Sequence, residues 1–305
     1  MNKLMRKLSI SILAVVFAVI AMGATTYAWF TLTNTTTVDQ FDVDVTTAEG
    51  IELSMDNGVT WSSVITNTQF NAGLTAQSKT KPALTAVASV TGDANFKVLT
   101  NLPSAGEGTF DVAAAGTHYL EFNIMVRTTT GGQPIFLSNA NTAITSNPIE
   151  WLVDKTFTPV SGGEVIVPGA AVTYTVNPAD AVRISFDEDA THVFETAAVG
   201  TNTTGQSFDW SFGALNYYQS DKGYVSPTNP VNNADNVGAT YTLHTLGTPY
   251  LTKVATTSAT ATNGYYQTTI TVRIWLDGWD AQCYNAIFGG QLAVKIGFTT
   301  LTSAA

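Results

Sequence analysis

Cysteine is nearly missing from this chain of 305 residues: Cys283 stands alone. A single thiol closes no internal disulfide, so the fold has to be held by its core rather than by crosslinks. Charge is scarce too. Asp, Glu, Lys and Arg make up 12% of the sequence, and 23 acids against 13 bases leave a net charge of −10. Such a chain repels phosphate backbones, which argues against nucleic acid as a partner. The three histidines, His118, His192 and His244, are spaced neither with one another nor with the cysteine as zinc ligands usually are. The sequence also lacks a Gly-rich phosphate loop, a nucleophile elbow and a zinc-binding helix. A Cys–His nucleophilic pair on Cys283 would depend on the fold rather than on spacing, but a cysteine in an apolar turn is more commonly a small buried hydrophobe. The expectation is a protein without cofactor that is not an enzyme.

What is present begins with a leader. MNKLMRK carries Lys3, Arg6 and Lys7 and no acid, and is followed by the apolar stretch Leu8 to Met22 and then by small residues. This order is that of a secretory signal peptide, with Thr26 and Ala28 at the small positions before a cut between Ala28 and Trp29. The rival reading is a retained membrane helix, because Leu8 to Ala24 is at the short end of a bilayer span of roughly 17–25 residues. Under either reading the bulk of the chain is exported, to the cell surface or beyond, and touches membrane only through this segment. Removing residues 1–28 changes the net charge from −10 to −13. The reading is thus a signal peptide over 1–28, a hydrophobic helix, followed by one domain over 29–305.

Beyond the leader, period two dominates. In "DQFDVDV" Phe41, Val43 and Val45 face one way and Asp42 and Asp44 the other, the pattern of a half-buried strand. Ile51, Leu53 and Met55 repeat it, and Asp56-Asn57-Gly58 then offers the positive φ of a tight hairpin turn. "LEFNIMVRT" (120–128), "VTYTV" (172–176), "VRISF" (182–186), "QTTITVRIWL" (267–276) and "QLAVKIGF" (291–298) alternate likewise. Helix is expected only at Ala281 to Phe288, stopped by Gly289 and Gly290. Stretches 62–110 and 197–262, rich in Thr, Asn, Gly and Pro, read as long loops carrying short strands. The expected fold is all-β, a jelly-roll-like antiparallel β-sandwich with long loop insertions, the largest around 197–262.

Two features invite ligands. Asp187, Glu188 and Asp189 in "FDEDATH" are a calcium candidate, since that ion takes carboxylate oxygens; the spacing matches no known calcium loop, and a solvated acidic turn is the competing reading. Tyr217, Tyr218 and Tyr224, with Tyr265 and Tyr266, offer apolar faces and polar tips suited to stacking on sugars, although subunit contacts use the same residues.

The leader ending "TYA", followed at once by "WF", a Thr/Asn stretch and a strand, resembles that of the TasA and camelysin-type proteins of Gram-positive bacteria. "TVRIWLDGWDAQCYNAI" (271–287) is similar to the carboxy-terminal part of exported proteins with such leaders. The resemblance implies a jelly-roll subunit, maturation by a dedicated signal peptidase, extracellular fibres or biofilm matrix, and no cofactor. Protease activity, credited to the camelysin branch, finds no metal motif here. On this reading the partner is the chain itself, polymerising head to tail, with Trp29, Phe30, Thr31, Leu32 and Thr33 as a strand donated to the next subunit's sheet edge. A surface adhesin or carbohydrate-binding module is the alternative. Intact-mass measurement of the exported protein is expected to give a chain starting at Trp29; the full 305-residue mass would favour the anchored form instead.

Overall fold

The computed structural model describes residues 41–47, 50–101, 109–138, 141–159, 162–169, 171–188, 190–196, 211–222, 241–246, 251–284, 287 and 290–300. The alternation produces two principal sheets. The first runs β15 (Leu251–Thr256), β8 (Pro134–Ser138), β17 (Leu292–Thr299), β1 (Phe41–Thr47) and β3 (Val64–Ile65), with β9 (Ala143–Ser146) also paired to β17. The second runs β14 (Leu243–Thr245), β13 (His192–Glu195), β12 (Val182–Asp187), β16 (Tyr266–Asp277), β7 (Leu120–Thr128) and β2 (Ile51–Ser54), with β4 (Ala86–Val87) beside the end of β16. Two small hairpins are added, β5 (Lys97–Asn101) with β6 (Thr109–Val112) and β10 (Ile149–Leu152) with β11 (Thr173–Val176).

Register explains why the sheets face each other. Ile124 lies opposite Ile270 and Phe122 opposite Val272, so both strands bury the same face. Val43 and Val45 lie opposite Val294 and Ile296. These side chains from both sheets join one apolar cluster, which makes the architecture sandwich-like. Most pairings are antiparallel as expected, but β1 with β17, β13 with β14 and β4 with β16 are parallel. The first and last described strands therefore lie side by side, a contact that only a long crossover permits.

The helix expected over Ala281 to Phe288 is not formed by its described residues. Cys283 N bonds Asp280 O and Ile287 N bonds Tyr284 O, both three-residue turns, and the Asp280 carboxylate accepts from Gln282 N at 2.8 Å. That bond is of the N-cap kind, but the turns that follow it are the tighter i→i+3 kind rather than an α-helix. Helices occur instead inside the two stretches read as loops. Helix α1 (Asn67–Ala76) opens on a reciprocal cap: Thr66 N donates to Gln69 Oε1 at 2.9 Å, and Gln69 N to Thr66 Oγ1 at 3.4 Å. It closes with Ser78 at φ 55° and Lys79 N bonded to Leu74 O. Helix α2 (Gly213–Lys222) buries Ala214, Leu215, Tyr217 and Tyr218. Strands β14 and β15, also within 197–262, belong to the two main sheets.

A second, smaller apolar cluster covers the outer face of the second sheet, joining Val87, Phe96, Val98, Ala113, Tyr119, Val193 and Trp275, with Tyr241 and Leu243 against it. Beside this cover lies a buried ionic knot. Arg183 Nη1 bonds Asp277 Oδ2, and also Tyr241 Oη at 2.8 Å. Arg183 Nη2 reaches Asp280 Oδ2 at 3.3 Å and Nε lies 3.8 Å from Glu195 Oε2. The "LDGWD" turn that carries two of these acids is closed by Asp280 N to Asp277 O and by Trp279 N to Asp277 Oδ1 at 2.9 Å. Strands β12, β13 and β16, the turn after β16 and the Tyr241 segment thus converge on one guanidinium.

Gly73 packs in α1 where an added Cβ would strike Met55 Cβ. A glycine-to-alanine change inside a helix normally gains up to about 1 kcal/mol, but here overpacking costs about 1–3 kcal/mol. Gly73→Ala is therefore expected to lower the denaturation midpoint, and a raised midpoint would show that α1 does not seat on Met55.

Candidate functional site

Several sequence-predicted site residues, Ala28, Trp29, Phe30, Thr31, Leu32, Thr33, Asp189 and Tyr224, lie outside the described residues. Asp187 pairs with Arg273 Nη1 at 3.3 Å and accepts from Thr191 Oγ1 at 3.5 Å. Glu188 accepts from Thr268 Oγ1 at 2.7 Å and Thr256 N at 3.3 Å. Neighbours in sequence, these two carboxylates serve different protein donors. Among the described residues no group of three or more His, Cys, Asp or Glu is placed to hold a metal ion.

Cys283 is buried, and its thiol is pushed well above the ordinary range by that burial, with Asp280 and Asp277 adding to the shift. His118 Nδ1 accepts from Ala114 N at 2.9 Å within a local turn. His192 and His244 lie on adjacent strands with ring centroids 5.9 Å apart; burial lowers the pKa of His244.

The tyrosines divide. Tyr217 and Tyr218 do not form an exposed platform: both are core residues of α2. Tyr217 packs edge-on to Trp151 and Phe157, and its hydroxyl donates to Asp154 Oδ1 at 3.0 Å. A helical turn presents adjacent tyrosines to the cluster where an irregular loop would have left them in solvent. Tyr266 lies over Gly131, where a Cβ would meet its ring. Tyr265 remains near the surface, stacked on a residue that sequence reasoning passed over.

That residue is Arg127. Its guanidinium carbon sits 4.3 Å from the Trp61 ring centroid and 3.9 Å from that of Tyr265. Glu52, opposite it in the β2–β7 ladder, accepts from Nε at 2.8 Å and lies at an ion-pair distance of 2.7 Å from Nη2. Two tight turns aim the rings. Asn57 (φ 59°) and Gly58 (φ 85°) form the turn after β2, and Trp61 Nε1 donates back to Gly58 O at 2.9 Å. Asp56 fixes this loop by accepting from Thr60 N at 2.8 Å and Thr60 Oγ1 at 2.6 Å. Asn263 (φ 51°) and Gly264 (φ 81°) make the second turn between the bridged residues Thr262 and Tyr265. The Asn-Gly pair was a readable signal for this second turn.

Clefts open on either side of the stack. One, of about 300 Å³, lies between the Trp61 loop and α1, lined by Leu53, Met55, Trp61, Ile65, Gln69 and Gly73. The other, of about 510 Å³, is lined by Thr47, Glu52, Ser63, Arg127, Thr129 and Tyr265, where β1 ends and β2 begins. The Arg127 guanidinium, neutralised by Glu52, is thus held between two aromatic rings and flanked by two clefts. Arg127→Ala removes two cation–π contacts and one ion pair, and is expected to cost about 1–2 kcal/mol while shifting the near-ultraviolet dichroism of Trp61. An unchanged spectrum would show that the stack does not persist in solution. Comparison with protein-family models, with curated proteins and with solved structures gave no match.

Proposed function

We propose that this chain is an exported structural subunit of an extracellular fibre or matrix rather than an enzyme. In this reading residues 1–28 are a signal peptide, the sandwich has jelly-roll connectivity, and residues 29–38 bridge one subunit to the next. The observation that carries the reading is the position of β1. It begins two residues beyond the 29–38 segment and pairs along its whole length with β17, while among the described residues its other edge is met only at Val45 and Thr46 by β3 and at Thr47, whose N bonds Ser63 O. A sheet edge presents backbone donors and acceptors that an extended segment can complete. Thr-rich "WFTLTNTTTV" favours extension, and donation head to tail is a contact that does not close on itself, so filaments result.

A second reading, a surface adhesin or carbohydrate-binding module, is favoured by the Trp61–Arg127–Tyr265 stack. The two readings separate under electron microscopy of the purified mature chain. A fibre subunit gives filaments that disappear on deletion of residues 29–36 while the truncated monomer stays folded. Filaments that survive the deletion would contradict strand donation, and single particles from the undeleted chain would favour the adhesin.

A further inference from the structure

The Arg183 knot is unbalanced in charge. One guanidinium faces three carboxyls, Asp277, Asp280 and Glu195, and all four side chains are at most 6% exposed. If every carboxyl were ionised, two uncompensated negative charges would be buried, a cost of several kcal/mol per ion. Among the described residues no second cation is placed at the knot. From the Tyr241 segment comes a phenol, and from the turn after β16 come Cys283 and Gln282; Gln282 Nε2 in turn donates to Asp180 Oδ2 at 3.3 Å. His192 and His244 do not face the knot. Glu195 and Val193 share one face of β13, whereas His192 and Phe194 occupy the other, and His244 stacks on Phe194 at 5.2 Å.

We propose that the knot is a proton-operated latch: with a proton on Glu195 or Asp280 it locks the β13–β14 edge and the Tyr241 segment over the smaller apolar cluster, and loss of that proton to solvent loosens them. Glu195 is the group placed to act. It lies opposite Arg183 in the β12–β13 ladder, at an ion-pair distance of 3.8 Å, while Asp277 and Asp280 hold the guanidinium more closely. Its neighbour on the other side is Thr245 of β14, and Leu246 N bonds Glu195 O at 2.8 Å, so the charge state of this residue bears directly on the edge strand. Burial pushes the Glu195 carboxyl up to about 8, against the pull of Arg183, with Asp280 and Asp277 adding. Burial likewise pushes Asp280 up to about 7. A folded-state value above the ordinary one means that the closed state holds the proton more tightly than the open state. Closure is therefore complete below the ordinary carboxyl range and weakens as pH rises towards about 8.

Hydrogen exchange of the purified chain at pH 5 and pH 8, corrected for the intrinsic pH dependence of amide exchange, tests the latch. Peptides covering 192–196 and 241–246 are expected to exchange at least about tenfold faster at pH 8, since each pH unit inside the window shifts the opening equilibrium up to tenfold, while peptides from β17 stay unchanged. Glu195→Gln, a permanently neutral mimic, should reduce the difference; Asp280→Asn serves if that variant does not fold. Equal exchange at the two pH values in the unmodified chain would overturn the proposal. So would a difference spread evenly to β17, or one left intact by neutralising these carboxyls.

Discussion

The Arg183 guanidinium is the point at which β12, β13, the turn after β16 and the Tyr241 segment meet in the second sheet. Arg183 projects from the outer face of β12, where an arginine would ordinarily extend its head into water, yet it is fully buried. Burying a charge is tolerable only with partners of good geometry, and removal of one partner from such a pair typically costs about 3–5 kcal/mol because the remaining charge is stranded. The Asp277-Gly278-Trp279-Asp280 turn supplies two of those partners. Burial by itself would lower the Arg183 pKa, but Asp277, Tyr241, Asp280 and Glu195 together raise it above the ordinary value. The turn that ends β16 is thereby bound to β12 and β13, and its backbone reaches the neighbouring strand through Gly278 N to Val87 O at 2.8 Å. In a chain without disulfides, this knot and the two apolar clusters are what orient the strands against one another.

Much of the β-structure was legible because a strand buried on one face writes its orientation every second residue. Leu120, Phe122, Ile124 and Val126 alternate with half-buried residues as expected, and Leu292, Val294 and Ile296 are buried on either side of exposed Ala293 and Lys295, with Gly297 and Phe298 buried beyond them. The Asn57–Gly58 turn also stands where its residues placed it. The partnership of β1 with β17 was not legible, since pairing between distant strands leaves no local trace. Helix α1 was a different kind of miss: Thr66 and Gln69 are the two ends of a capping signal, overlooked within a stretch whose Thr and Asn content suggested a loop. At Ala281 to Phe288 the described residues form three-residue turns instead of the expected helix, although Asp280 accepts from Gln282 N as an N-cap does.

The candidate sites follow the same division. Acidic residues adjacent in sequence drew attention to Asp187 and Glu188, but each carboxylate takes its own hydroxyl, amide or guanidinium partner. Arg127, Trp61 and Tyr265 come from three separate segments, so only the folded sheet brings them together. The same holds for Arg183, whose place in an alternating strand gave no hint that the β4–β6 region and Tyr241 would cover it. Tertiary juxtaposition, rather than motif, makes both clusters. The fibre reading draws its support from a different source, the order of apolar amino-terminal run, Thr-rich segment and first described strand along the chain.

If the buried knot is what the second sheet depends on, Arg183 and Asp277 must be strongly coupled. A double-mutant cycle with Arg183→Met, Asp277→Leu and the combination, followed by urea denaturation, measures this directly. The account predicts a coupling free energy of about 2–3 kcal/mol, the double variant being more stable than the sum of the single losses implies. Losses that add to within about 0.5 kcal/mol would mean that the guanidinium and the carboxylate stabilise the fold independently, and would contradict it.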